Sequence, residues 1–298
     1  KNYCARESVI GDFINSEPYY YKSTAYGIDW VLAGANDGML HVLDGATGEE
    51  LFAYIPSMVF SDLTELTDPS YDDNHHFFVD GFLTVEELSS TALAVGGLGR
   101  GGRGFFALDL KAAVDGVNLF TPESYATNIV KWEFSTTTPN AVANAADPNV
   151  LSDHLGYSYS RPQIIDSNDP TAEKLLVFGN GYDSASGHAV LFIVGLDGLG
   201  NIVWTHHIDT GVGDSGPNCN GLSSPAIIFP QGDGTNDYIF AGDLLGNMWK
   251  FDISDADHTN WGVYFEDPVS GDPRPLFTAK SDAGYRQPIT MQPDVTYS

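Results

Sequence analysis

The densest group of metal-type donors in the chain is "YDDNHHFFVDG", residues 71 to 81, where Asp72 and Asp73 precede His75 and His76. Imidazole and carboxylate both bind zinc, provided that they converge on one point. Adjacent side chains of an extended strand face opposite ways, so His75 and His76 share no ion without a bulge and read as surface or packing residues. "GGLGRGGRG", residues 96 to 104, has Gly-x-Gly spacing. That spacing cradles a pyrophosphate only where it opens a helix inside a βαβ unit, and the "FFALDL" that follows reads as a strand. The glycines therefore relax a tight hairpin, with Arg100 and Arg103 free to pair with acidic surface. Neither a Gly-x-Ser-x-Gly elbow nor a compact Ser/His/Asp arrangement is present. Trp30, Trp132, Trp204, Trp249 and Trp261 all fall in strand-like runs, where packing is their simplest use. Cys4 and Cys219 permit one disulfide without establishing it.

Composition limits the partners. Asp and Glu number 40 against 13 Lys and Arg, a formal net charge of −27, so nucleic acid and anionic lipid surfaces are repelled. Cations and basic protein faces are attracted. No apolar run approaches membrane-spanning length, and "KNYCARESVIGDF" has no signal-peptide core. The expectation is a soluble piece of a longer chain, without direct membrane insertion.

These residues must be positioned by something repeated. "VLAGANDGMLHVLD", "LAVGGLGRGGRGFFALD", "LLVFGNGYDSASGHAVLFIVGLD" and "YIFAGDLLGNMWKFD" each join two apolar runs through a small or acidic turn. The glycine ending the first run stands at 34, 97, 179 and 242, at intervals of 63, 82 and 63. Before each hairpin comes a strand opened by proline or its equivalent, "SEPYYYK", "VDGFLTVEEL", "SRPQIID", "SSPAIIFP" and "RQPITMQP", and Pro162, Pro225 and Pro288 repeat the 63-residue interval. Proline is tolerated at the first residue of a strand, where its missing N–H is not needed. A third apolar run closes each unit: "ELFAYIP", "IVKWEFS", "NIVWTHHI" and "WGVYFED". Four-strand meanders in tandem predict an all-β chain, a β-propeller of four-stranded antiparallel blades in an irregular or incomplete ring. The blades are expected at 12–60, 77–136, 157–209 and 221–267, with the start of another at 284–298. The longer interval implies a small insertion at 140–156, in which a short helix fits.

Seven segments in order, "GANDGMLHVLDGATGEELFAYIP", "FFVDG", "VGGLGRGGRGFFALDL", "LVFGNGYDS", "NGLSSP", "DYIFAGDLLGNMWKFDI" and "PLFTAKSDAGYRQPIT", resemble one family. It is the C-terminal propeller domain of the PilY/PilC proteins, the type IV pilus tip and biogenesis factors of Gram-negative bacteria. The resemblance implies a non-enzymatic role at the pilus tip or outer surface: promoting extension against retraction, supporting twitching motility, and adhering to a host or other surface. Implied partners are the minor pilins, the N-terminal part of the same chain and a host-surface receptor. It also implies an EF-hand-like calcium loop in "FPQGDGTNDY", between the first two strands of the fourth blade. Phe229, Gln231, Asp233 and Asp237 take its side-chain positions and Thr235 its main-chain position. Phe229 offers no ligand and Gln231 only a neutral oxygen, whereas calcium takes six to eight oxygens, so the loop reads as a weak or empty site or as a plain Gly/Asp turn. Asp166, Asn168 and Asp169 stand in the equivalent third-blade hairpin, interrupted by Pro170, which reads as a turn.

Two other functions compete. "DGMLHVLDGATGEELF" also resembles the repeat of quinoprotein dehydrogenases, but those enzymes set an adjacent-cysteine disulfide against the quinone, and Cys4 and Cys219 are far apart in sequence. A non-catalytic envelope scaffold is the third reading.

Overall fold

Ladder position decides how apolar each strand is. In a computed structural model describing residues 10–71, 73–116, 127–136, 150–228 and 237–295, the chain forms four antiparallel sheets. The first runs β1 (Tyr19–Ser23), β2 (Ile28–Gly34), β3 (Leu40–Asp44), β4 (Glu50–Tyr54), and the second β5 (Leu83–Glu87), β6 (Ala92–Gly97), β7 (Gly104–Asp109), β8 (Val130–Ser135). The third comprises β9 (Gln163–Asp166), β10 (Lys174–Gly179), β11 (His188–Leu196) and β12 (Ile202–Gly213). In the fourth, β13 (Ala226–Ile228), β14 (Tyr238–Gly242) and β15 (Asn247–Asp252) precede β16 (Gly262–Val263) and β17 (Phe277–Thr278). Strands β6 and β7 are buried almost throughout, as are β10 and β11, because both of their faces meet neighbouring sheets. The outer strands β4 and β12 keep exposed or half-exposed positions.

The core lies between consecutive sheets. Leu32 and Val42 pack with Val85, Phe106 and Leu108 across the first seam. Phe105 and Phe134 meet Phe178 and Phe192 across the second, with the Phe105 and Phe178 rings 4.3 Å apart. Leu175, Ile193 and Trp204 meet Ile239, Trp249 and Trp261 across the third. All five tryptophans are buried, four of them on strands, whereas Trp261 stands just before β16 at the end of a 3-10 turn. These are the blades of a β-propeller.

The repeated glycines have a steric cause. Gly34, Gly97, Gly179 and Gly242 end β2, β6, β10 and β14. A Cβ on each would run into the entry of the next unit: Val79 O, Ser158 O, Ser223 O and Ile289 respectively. Backbone bonds fasten the same places, Val79 N–H to Ala35 O at 3.4 Å, Ser158 N–H to Gly102 O at 3.1 Å and Ile289 N–H to Asp243 O at 2.9 Å.

Three features depart from the sequence pattern. A helix, α1 (Leu110–Gly116), follows β7 where none was expected, capped by Asp109, whose Oδ1 accepts from Ala112 N–H at 2.8 Å. In the fourth sheet "WGVYFED" yields only the two residues of β16; the chain then leaves the edge and returns as β17 farther along β15. The expected strand within 284–298 does not form among the described residues, although Ile289 reaches Asp243. A first strand is defined by its ladder to a second, and residues 284–295 offer only the single bridge Lys280 to Arg286. Within the insertion, α2 (Val150–His154) is the short helix, and 140–149 lie outside the described residues. No helix among the described residues is long and apolar enough to cross a membrane.

Candidate functional site

The hairpin expected to hold calcium joins β13 to β14, and its base is pinned by the Ile228–Tyr238 pair and by Ile253 N–H donating to Asp237 O at 2.9 Å. Asp237 stands half-buried at that base. Phe229, Gln231, Asp233 and Thr235 lie outside the described residues. The donor chemistry is short of a full calcium shell: two carboxylates, one amide oxygen and one main-chain oxygen.

The equivalent third-blade hairpin is spent on structure. Asp169, 3% exposed, accepts from Thr171 N–H at 2.8 Å, Thr171 Oγ1 at 2.6 Å, and His258 N–H and Nδ1 at 3.1 and 2.6 Å. Burial disfavours its charge, but these donors outweigh burial and hold the carboxyl far below the ordinary carboxylate range. Trp204 Nε1 donates to Thr171 Oγ1 at 2.9 Å, and its ring stacks on His258 at 3.9 Å. Asn168 Nδ2 donates to Ile253 O at 2.8 Å, and Asp166 pairs with Lys174 at 2.7 Å. The turn thus latches the third blade onto the fourth.

His75 and His76 lie in irregular chain between β4 and β5, not in a strand, and take different acidic partners. His75 Nε2 lies 3.0 Å from Asp12, and His76 Nε2 3.8 Å from Glu65. Both line a cleft of about 620 Å³ with Phe77, Arg100, Arg103 and Tyr157. Arg103 pairs with Asp183 at 2.6 Å, and Arg100 lies 4.5 Å over the Phe77 ring. The glycine-rich stretch runs from β6 through one 3-10 turn, Gly99–Gly101, into β7, so it opens no α-helix to receive a phosphate. Cys219 forms no disulfide among the described residues, and Cys4 lies outside them. Burial raises the Cys219 thiol above its ordinary range.

One cluster escaped sequence reasoning. His154 at the end of α2, His188 at the start of β11 and Asp209 on β12 bring donor atoms within 4.8 Å of one another. The available signal was weak, His207 and Asp209 two residues apart and so on one face of β12. Ser186 Oγ lies 3.0 Å from His154 Nδ1, but the carboxylate of Asp209 contacts His188 instead. No single imidazole therefore links this serine to this aspartate as a hydrolytic triad would.

A family model described as the PilY1 beta-propeller domain matches residues 16–298. The Type IV pilus biogenesis factor PilY1 homolog of Xylella fastidiosa is 36% identical over 287 residues, covering 93% of this chain and 17% of that protein. The Type IV pilus biogenesis factor PilY1 of Pseudomonas aeruginosa is 34% identical over 330 residues, covering 97% of this chain and 26% of that protein. The crystal structure of the Pseudomonas aeruginosa PilY1 C-terminal domain superposes with a TM-score of 0.63 and 29% identity, over 92% of this chain and 51% of that one. The chain therefore spans about a sixth to a quarter of the curated relatives' length. With four antiparallel sheets and a family model matched over residues 16–298, the chain belongs to the PilY1 beta-propeller domain family.

Proposed function

We propose that this domain is a non-catalytic module of a type IV pilus biogenesis factor, working at the pilus tip or outer cell surface. There it promotes extension against retraction, supports twitching motility and contributes to adhesion. The observation that carries the reading is 36% identity across 93% of the chain to a protein named for pilus biogenesis. Minor pilins, the N-terminal part of the same chain and a host-surface receptor are its proposed contacts. A net charge of −27 fits extracellular protein and cation contacts better than nucleic acid or lipid.

Deleting the coding segment in the host tests the reading. Surface pili are expected to disappear and to return when the retraction motor is also removed. Normal piliation and twitching in the deletion strain would refute it.

Calcium modulation is proposed at the 229–237 hairpin, with Asp233 and Asp237 as the charged ligands. Two carboxylates give weak binding, because affinity in such loops follows ligand charge. Calcium titration of the purified domain is expected to give a weak isotherm that Asp237→Ala abolishes. An isotherm unchanged by that substitution removes the hairpin from consideration.

A further inference from the structure

We propose that His154, His188 and Asp209 form a binding site for a divalent ion of the zinc class, separate from the calcium hairpin and independent of the pilus reading. Three elements converge to make it. Strands β11 and β12 pair Phe192 with His207 and Val190 with Asp209, so these four side chains share one face of the third sheet. Beyond Val190 the ladder bulges: His188 pairs with Gly213, and β12 carries extra residues in between. A bulge re-aims side chains. Here His188 Nδ1 comes to 2.9 and 3.2 Å from the two oxygens of Asp209. The third donor arrives from α2. Leu155, just past that helix, is fully buried with Val190 and Phe192 at the seam between the second and third blades. That burial seats His154 above the same face.

Each proposed ligand has an outer contact that fixes it. Asn180, itself fully buried, donates through Nδ2 to His154 O at 2.8 Å and to His188 O at 2.9 Å, so one amide sets both histidine backbones. Ser186 Oγ holds His154 Nδ1 at 3.0 Å, and Gly211 N–H donates to Asp209 Oδ1 at 2.8 Å. The His207 ring stacks on His154, with centroids 5.6 Å apart and planes at 27°. Outer contacts of this kind orient metal-binding imidazoles and carboxylates.

The spacing suits a small tetrahedral ion. Zinc bonds of about 2.0–2.2 Å to nitrogen and oxygen place neighbouring ligands about 3.3 Å apart. The separations between His188 and Asp209 are already 2.9 and 3.2 Å, and His154 completes the group within 4.8 Å. Two nitrogens and one oxygen select zinc-class ions over calcium or magnesium, which take oxygen. A water fills the fourth position. The bound ion would tie α2 to the third sheet, and hence the end of the insertion to the second seam. The cluster of Asp169, Asp257 and His258 is not equivalent, because Asp169 is already filled by four donors.

Titrating the chelator-treated domain with zinc chloride is expected to show one ion bound per chain and a higher melting temperature. Cobalt chloride should give the intense visible absorption of a tetrahedral site. His188→Ala and Asp209→Asn should each lower zinc affinity roughly tenfold or more. Circular dichroism reports whether these variants fold, and His154→Gln provides a third variant outside the sheet. Asp237→Ala should leave the zinc isotherm unchanged, and excess calcium should not displace cobalt. Absence of binding by the unmodified domain overturns the proposal. So does binding that all three ligand variants retain in full.

Discussion

Asp243 is fully buried, and its carboxylate accepts hydrogen bonds from Asn220 Nδ2, Asn247 N–H, Asn247 Nδ2 and Trp249 Nε1, all at 2.8–2.9 Å. Asp243→Ala leaves these donors facing a dry cavity, so it should cost about 3 kcal/mol, read as a lower urea midpoint. An unchanged midpoint would mean that water replaces the carboxylate. Two histidines make stability depend on pH in opposite directions. The hydrogen bond that His41 Nε2 donates to the Asp37 carboxylate at 3.1 Å holds His41 above its ordinary range, partly opposed by burial and reinforced by Glu50 at 2.6 Å from Nδ1. Its contribution is full below about pH 6.5 and is lost as pH rises through the raised native value. Burial pushes His206 down to about 4, against a smaller opposing backbone bond at Trp261. The native state keeps this ring neutral, so its contribution is full above about pH 6.5 and is lost as pH falls towards 4. Relative to the unmodified domain, His206→Gln should therefore lose more stability at pH 7 than at pH 5, and His41→Gln more at pH 6 than at pH 8.5. Urea melts at those pH values check both signs, and parallel pH profiles for the two variants would refute the assignment.

At the scale of elements, the repeated glycines are contact points between blades. A Cβ at Gly179 would meet the carbonyls of Ser223 and Leu222, which belong to the entry of the next blade and cannot move independently. Gly179→Ala should cost about 2–3 kcal/mol through overpacking. Gly262, with open space around its Cβ position and no left-handed backbone, is the control, and Gly262→Ala should change stability by no more than about 0.5 kcal/mol. Equal melting temperatures for the two variants would show that close approach is not what fixes the repeat. This close approach is also why the blades were legible in the sequence: a steric constraint recurs once per unit, and Pro18, Pro162 and Pro225 each immediately precede β1, β9 and β13. Helix α1 was written locally too, in Asp109 as cap and Gly116 at its end, but the strand rhythm on either side masked it. The split of β16 from β17 was not legible, because it depends on which part of the β15 edge the returning chain reaches. The His154, His188 and Asp209 cluster was hidden for a similar reason: a bulge and a separate helix bring it together, and neither leaves a fixed spacing.

For the whole molecule, charge sets how stability responds to the solvent. Against 40 acids stand 13 Lys and Arg side chains, and five of those among the described residues pair with a carboxylate. Lys22 pairs with Asp29, Lys111 with Asp115, Arg161 with Glu17 and Lys174 with Asp166, at 2.5–2.7 Å. Lys250 lies between the Tyr238 and Tyr264 rings at 3.6 and 3.4 Å. Such exposed pairs contribute little individually, while the unbalanced acids repel one another in the folded state more than in an expanded chain. Raising sodium chloride from about 20 mM to about 200 mM shortens the screening length from about 20 Å to about 7 Å, which weakens long-range repulsion more than close pairing. The melting temperature should therefore rise by about 3 °C, corresponding to about 1 kcal/mol for a domain of this size. A fall over the same range would mean that the ion pairs outweigh the repulsion. Calcium chloride at matched ionic strength separates screening from binding: a further rise that Asp237→Ala removes belongs to the hairpin between β13 and β14, whereas a rise common to both proteins belongs to the acidic surface.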